Sequence, residues 1–315
     1  MAERFRVLVS CPRAWDGLNE FADLFEAHGI VVDVPETVDQ QLDEADLLPV
    51  IGAYDGILAG DDQLSRRVIE AGSRLKVISK WGVGIDAIDL AAAEERGVLV
   101  KNTPGMFGEE LADYALGFLI LIARSQHIVD REVRAGNWSS IRGHSLADRT
   151  LGIVGLGSSG SALARRARVL AMEVVGTDPI VVDMDPAGAR VVDFEELLAV
   201  ADVVSLHLPG QSEGRALIGP TELAVMKRGV WLINTSRGSL IDEEALVDAL
   251  ESGHVGAAAL DVFAREPLAR DHPLLSHPAV ILGSHNGSNT HEAVARTTRA
   301  AVTNLVEGLI GAPPG

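Results

Sequence analysis

One cysteine, Cys11, in 315 residues excludes an internal disulfide and any metal centre built on paired thiolates. It follows the strand-like run Phe5 to Ser10 and reads as a half-buried small residue rather than a nucleophile. Basic residues are also short: 27 Lys and Arg against 45 Asp and Glu leave a net charge of -18. That balance argues against nucleic acid, because binding phosphates needs Lys and Arg gathered on one face. No apolar run reaches membrane-spanning length, and Leu116 to Ala123 is the strongest. The N-terminus has no extended apolar segment of the signal-peptide kind, so the expectation is a soluble cytoplasmic protein with no membrane partner. His127, His144, His254, His272, His277 and His291 show no ligand spacing, and no metal site is expected.

What the chain does contain is a nucleotide-binding pattern in Leu151 to Asp178. An apolar run, Leu151 to Val154, reads as a buried strand; Gly155-Leu156-Gly157-Ser158-Ser159-Gly160 turns into a helix; Glu173 to Thr177 is a second strand ending in Asp178. Gly155 permits the tight turn, Gly157 lets the backbone approach a pyrophosphate, and Gly160 lets the helix pack closely on the sheet. The pyrophosphate belongs on the free N–H groups near Ser158 and Ser159. Asp178 stands where a carboxylate accepts hydrogen bonds from an adenosine ribose and repels a 2′-phosphate, which favours NAD (NADH) over NADP.

The length allows two domains. Before the fingerprint, strands Phe5 to Ser10, Ile30 to Val34, Gly56 to Ala59, Leu75 to Ser79 and Val98 to Lys101 alternate with helical stretches, among them Trp15 to His28 and Leu64 to Ala71. After it come strands Arg190 to Val192, Val203 to Leu208, Trp231 to Asn234, Ala257 to Val262 and Val280 to Leu282. The fold class is therefore α/β, two doubly wound parallel-sheet domains, a Rossmann domain inserted in a flavodoxin-like one. The substrate domain is expected over 1–102 and 287–315, because Thr290 to Ile310 reads as a helix returning to the first domain. The NAD-binding domain is expected over 103–286, with a hinge at the two crossings and the active site in the cleft.

Three further strand ends place polar residues on the expected ligand edge: Arg237 after WLIN, Asp261 after GAAAL with Glu266 just beyond, and His285 after VILGS. The fork of Arg237 suits a carboxylate and the carbonyl to be reduced. His285 is the residue whose ordinary pKa lets it deliver a proton near neutrality, and Glu266 would orient it. Singly, each also reads as an ordinary loop residue. His207, before Leu208-Pro209, is placed to help cover a cofactor.

With these residues in view, the chain resembles the D-isomer-specific 2-hydroxyacid dehydrogenases, in their phosphoglycerate dehydrogenase-like branch. The resemblance runs through Gly82 to Asp89, Asn102 to Gly105, the fingerprint, His207 to Pro209, Asn234 to Asp242, Ala259 to Phe263 with Glu266-Pro267, and His285. It implies Arg237, Glu266 and His285 as the catalytic set. It also implies that His207, Leu208, Pro209, Thr235, Ser236, Asp261 and Gly287 contact the cofactor, and that Lys80, Trp81, Gly82 and Val83 form the loop that takes the substrate carboxylate on backbone N–H groups. Phe107 and Trp81 are expected to shape the pocket. A homodimer joined through the NAD-binding domains, near Gly136-Asn137-Trp138, is implied as well.

The departures point away from a phosphorylated substrate. Asp61 and Asp62 stand where phosphoglycerate enzymes carry an arginine, with Lys80 and Arg142 as the cations left to compensate. Ser284 replaces the usual proline before the histidine, and the chain is expected to lack an appended regulatory domain. The expected activity is interconversion of a small 2-oxo acid and its D-2-hydroxy acid. The rivals are 3-phosphoglycerate dehydrogenase, glyoxylate or hydroxypyruvate reduction, and an NAD-sensing corepressor-like binding protein.

Overall fold

The computed structural model describes residues 5–36, 41–138, 140–181, 187–210 and 215–311. Residues 1–4 and 312–315, assigned above to the substrate domain, lie outside the described residues. Two compact units are present: Met1–Met106 with Thr290–Gly315, and Phe107–Asn289.

The first unit is built on five strands, β1 (Phe5–Val9), β2 (Ile30–Asp33), β3 (Gly56–Ala59), β4 (Val77–Lys80) and β5 (Leu99–Lys101). They are all parallel, in the order β2-β1-β3-β4-β5. Helices on both faces keep the central strands largely apolar, and every residue of β3 and β4 is buried, with Ser79 and Lys80 as the polar exceptions at the end of β4. Short side chains start the connecting helices: Ser65 caps Arg66–Ala71 by accepting from Val68 N–H, and Asp89 caps Leu90–Glu95 by accepting from Ala92 N–H. The stretch Trp15 to His28 is not the single helix its periodicity suggests. It splits into Pro12–Trp15, a 3-10 turn Leu18–Phe21 and Ala22–His28. Gly17 interrupts it, and the Trp15 indole ties the first turn to β1 through a 3.0 Å bond to the Val9 carbonyl. The last helix, His291–Gly311, packs on this same sheet. Ser79 Oγ donates to the Ala301 carbonyl at 2.8 Å, and a Cβ on Gly308 would sit 2.6 Å from Val77.

The second unit has seven parallel strands: β6 (Thr150–Val154), β7 (Glu173–Thr177), β8 (Arg190–Val191), β9 (Val203–Leu206), β10 (Val230–Asn234), β11 (Val255–Leu260) and β12 (Val280–Leu282). Their order is β12-β11-β10-β9-β6-β7-β8, so the winding reverses between β6 and β9. Such a reversal splays the loops on either side and leaves a crevice at the strand C-terminal ends. Core side chains fill both faces, Leu197, Leu232 and Leu246 on one and Leu119, Leu163 and Ile233 on the other. Each fully buried aliphatic side chain contributes roughly 1.5–3 kcal/mol of transfer free energy.

Candidate active site

The fingerprint lies at the reversal. Gly155 follows β6 with φ +100°, and a Cβ there would lie 2.6 Å from the His207 carbonyl oxygen. Gly160, in the first turn of helix Ser158–Val169, would place a Cβ 1.9 Å from the Gly155 carbonyl oxygen, so the helix sits against the turn. Gly157 differs from both, because a Cβ on it would meet no atom of the described residues within 4 Å. Protein packing therefore does not account for a glycine at 157, whereas close approach of a ligand does. No side chain caps this helix, and the N–H groups of Ser158, Ser159 and Gly160 carry its positive end. Beside the fingerprint turn, Asp178 follows β7 and accepts from Leu156 N–H and Ile180 N–H, each at 2.8 Å. Each carboxylate oxygen keeps a lone pair for a diol.

His207 occupies the other lip. Its backbone N–H donates to the Val154 carbonyl at 2.7 Å, while its ring nitrogens lie 2.9 Å from Ser205 Oγ and 3.1 Å from Ser159 Oγ. Burial pushes its pKa down to about 4. The ring is thus a neutral brace between β9 and the start of the fingerprint helix. Leu208 and Pro209 follow it out of the sheet.

The structure brings Arg237, Asp261, Glu266 and His285 onto the same edge of this sheet, after β10, β11 and β12. His285 Nδ1 and Glu266 Oε2 are 2.7 Å apart, both side chains about four-fifths buried at 19% exposure. The other carboxylate oxygen, Oε1, accepts from Phe263 N–H at 2.9 Å, which fixes the plane in which Glu266 meets the ring. Asp261 is 1% exposed and holds the histidine loop at three points. Its carbonyl accepts from His285 N–H at 2.7 Å, and its carboxylate from Asn286 N–H at 2.9 Å and Gly287 N–H at 2.7 Å. Burial pushes the Asp261 carboxyl up, and these two N–H donors offset part of that cost.

Asn234, quoted in the motif but given no role there, organises the arginine loop: its amide donates to the Arg237 carbonyl at 2.8 Å and accepts from Ser236 N–H at 3.0 Å. Ser236 Oγ donates to the Leu206 carbonyl at 2.8 Å. A Cβ on Gly238 would lie 1.8 Å from the Phe263 carbonyl carbon, so the arginine loop and the Phe263 to Glu266 loop are in direct contact. The Thr235 hydroxyl is buried with no hydrogen-bond partner among the described residues. An orphaned hydroxyl costs about 1–3 kcal/mol unless a ligand satisfies it. Together with the open face over Gly157 it fits a bound dinucleotide. Tyr114, on helix Gly108–Arg124, was not singled out from sequence, where it reads as one more residue of an amphipathic pattern; a Cβ on Gly283 would lie 2.8 Å from its hydroxyl and 2.1 Å from Asp261 Oδ1. Phe107, the residue before that helix, is buried.

In the first unit the loop after β4 is more committed than the sequence suggests. Trp81 N–H donates to the Ala59 carbonyl and Gly82 N–H to Thr103 Oγ1, at 2.8 and 2.9 Å. Among the described residues the Val83 N–H has no partner. Trp81 itself is buried, its indole donating to Thr298 Oγ1 at 3.0 Å. Lys80 Nζ bonds to Asp61 at 3.0 Å and to the Trp81 carbonyl at 3.1 Å. Asp62 is buried and fully occupied by Ser10 Oγ, Leu42 N–H and Gly60 N–H. The two acids therefore do different things: Asp61 matches the charge of Lys80, and Asp62 shapes the loop. Cys11 is wholly buried rather than half-buried, and burial raises its thiol to about 11, too high for a nucleophile. Among the described residues no cluster of His, Cys, Asp or Glu forms a metal site.

Comparison with known proteins agrees with this arrangement. Residues 116–287 match the model of the D-isomer specific 2-hydroxyacid dehydrogenase NAD-binding domain. The glyoxylate reductase of Korarchaeum cryptofilum is 39% identical over 253 residues, covering 78% of this chain and 76% of that one. The chain belongs to the D-isomer-specific 2-hydroxyacid dehydrogenases. In this family its second unit is the NAD-binding domain, and NAD is the cofactor. The D-3-phosphoglycerate dehydrogenase of Archaeoglobus fulgidus is 34% identical over 312 residues, 96% of this chain; the chain spans 58% of that relative's length. The crystal structure of D-lactate dehydrogenase from Aquifex aeolicus, complexed with NAD and lactic acid, superposes with a TM-score of 0.84 at 25% identity, covering 97% of this chain and 96% of that one. No helix among the described residues is long and apolar enough to cross a membrane.

Proposed function

We propose that this dehydrogenase interconverts a small 2-oxo acid and its D-2-hydroxy acid, with Arg237, Glu266 and His285 as the catalytic residues. The observation that carries the reading is the 2.7 Å pair of His285 Nδ1 and Glu266 Oε2, with the second carboxylate oxygen pinned by Phe263 N–H. Glu266 keeps a proton on Nδ1, so Nε2 is the atom that gives or takes the proton of the substrate oxygen. NADH, when bound, supplies the hydride that reduces C2. As the carbonyl oxygen gains charge, Arg237 stabilises it and His285 protonates it, leaving a neutral imidazole for solvent to recharge. Thr235, Asp178, Ser158 and Ser159 hold the cofactor, with the His207 brace beside them. The first unit takes the substrate-binding role, with Val83 N–H as a donor to the carboxylate.

An unphosphorylated acid is favoured because Asp61 already matches the charge of Lys80. A homodimer through the NAD-binding domain is part of the same reading, supported by Trp138 standing 93% exposed; light scattering of wild type and Trp138→Asp tests it. A cytoplasmic location fits a lone buried thiol that needs no oxidising compartment.

The test of the activity is NADH oxidation with glyoxylate, hydroxypyruvate, pyruvate and 3-phosphohydroxypyruvate, with His285→Ala in parallel. Rapid reduction of one unphosphorylated acid and a dead variant are expected. Preference for the phosphorylated acid would overturn the substrate assignment, and NADH binding without turnover of any acid would overturn the enzyme reading in favour of a cofactor sensor.

A further inference from the structure

We infer that Glu243 is a positioning residue for Glu266, acting through the Ala264 N–H; the inference rests on Glu266 orienting His285 in the proposed reaction. Glu266 sits on the stretch that leaves β11, and in that stretch Ala264 and Arg265 are exposed. Burial of side chains therefore does not fix this part of the loop, and bonds to its backbone do so instead. Two carboxylates take two N–H groups in succession. Phe263 N–H donates to Glu266 Oε1 at 2.9 Å, and Ala264 N–H donates to Glu243 Oε1 at 2.7 Å. The first bond sets the plane of Glu266 against the imidazole. The second sets the plane of the Phe263–Ala264 peptide, because that N–H and the Phe263 carbonyl belong to one rigid unit.

The same peptide is held at a second point. A Cβ on Gly238 would lie 1.8 Å from the Phe263 carbonyl carbon and 2.3 Å from the Ala264 nitrogen, so the backbone just after Arg237 touches it. Glu243 reaches it from a fixed origin. It is the first residue of helix Glu243–Glu251, whose cap, Asp242, accepts from Ala245 N–H at 3.1 Å and donates its own N–H to the Ile218 carbonyl at 2.9 Å. The Glu243 side chain is 16% exposed, and its second oxygen, Oε2, lies 3.3 Å from His272 Nε2. His272 Nδ1 accepts from Leu274 N–H at 3.3 Å, so the neutral ring carries its proton on Nε2 and donates it to Glu243. One oxygen of Glu243 is thus anchored and the other is presented to the loop. Without that acceptor the Phe263–Ala264 peptide is free to rotate. The Phe263 N–H, one Cα away, then changes direction, and Glu266 no longer meets His285 Nδ1 in a fixed plane.

The experiment compares Glu243→Ala, Glu243→Gln, Glu266→Ala and the double alanine variant with wild type in the complete protein. NADH binding is followed by fluorescence, and kcat and KM are measured for the best 2-oxo acid. In Glu243→Ala, kcat is expected to fall roughly tenfold, the worth of one hydrogen bond to a charged group, while KM and NADH affinity stay within about threefold. Glu243→Gln keeps a carbonyl oxygen for Ala264 N–H and recovers kcat to within about threefold of wild type, the His272 ring taking its other tautomer to meet the amide. In the Glu266→Ala background, Glu243→Ala lowers the residual kcat by less than about twofold, because the residue it positions is gone. A wild-type kcat in Glu243→Ala beside a crippled Glu266→Ala overturns this inference alone. Equal losses in the Ala and Gln variants overturn it as well, since the lost charge at the helix start would then be the cause. So does a tenfold loss repeated in the Glu266→Ala background, or a collapse of NADH binding in Glu243→Ala, either of which marks a general loosening of the unit. Full turnover by Glu266→Ala overturns the reading of Glu266 and this inference with it.

Discussion

Acid should loosen the nucleotide-binding unit through His207, by an amount the structure sets. The imidazole is buried between Ser205 and Ser159, and its pKa falls from 6.5 to about 4. An unfolded chain takes up this proton near pH 6.5, whereas the folded protein resists it until about pH 4. The unfolded state therefore binds more protons inside that window, so the stability contribution is complete above about pH 6.5 and is lost progressively as pH falls toward about 4. At roughly 1.4 kcal/mol per pH unit the loss reaches about 3 kcal/mol, a sizeable part of a domain's stability of roughly 5–15 kcal/mol. The check is urea unfolding of wild type and His207→Gln at about pH 7.5 and about pH 4.5, where the variant keeps polar contact with a serine but cannot titrate. Wild type should lose about 2.5 kcal/mol more than the variant between the two conditions, because every other titrating group is common to both. In parallel, the His207 ring proton in an NMR titration should hold its neutral position down to about pH 5. Equal acid losses in the two proteins, or a ring proton that moves with a midpoint near 6.5, would refute the burial argument.

Three substitutions test the rest of the site. Gly157→Ala meets no atom of the described residues, so its urea midpoint should stay within about 0.5 kcal/mol of wild type while NADH binding weakens at least roughly tenfold; unchanged binding would mean that no ligand lies over residue 157. Thr235→Val removes a buried hydroxyl that is unpaired among the described residues, so the cofactor-free protein should gain about 1 kcal/mol while NADH affinity drops, as thermal unfolding with and without NADH will show. Gly238→Ala would drive a Cβ into the Phe263 carbonyl, separating the Arg237 loop from that of Glu266, and kcat should fall by roughly a hundredfold or more with NADH affinity nearly retained.

Much of the site was legible because local sequence and local structure coincide there. Gly155 and Gly160 are dictated by a turn and a helix contact within six residues of each other, so their spacing alone identifies the unit. Arg237, Asp261, Glu266 and His285 were legible for a topological reason. In a parallel sheet every strand points the same way, so residues just past successive strands share an edge without any knowledge of packing. The break of Trp15 to His28 was hidden, because the periodicity of its apolar residues survives the interruption at Gly17. The unequal roles of Asp61 and Asp62 were hidden too, since adjacent acids look alike until one of them meets Ser10 and Leu42 from distant parts of the chain.

The sequence by itself determined the parallel α/β class, the dinucleotide turn and the identity of the residues on the ligand edge. Each follows from periodicity or from spacing along one short stretch of backbone. Only the tertiary structure decided which oxygen of Glu266 meets His285 and that Asp261 is the hub of the histidine loop. These are contacts between groups far apart in the chain. They depend on how helices and strands pack, and no local pattern encodes that.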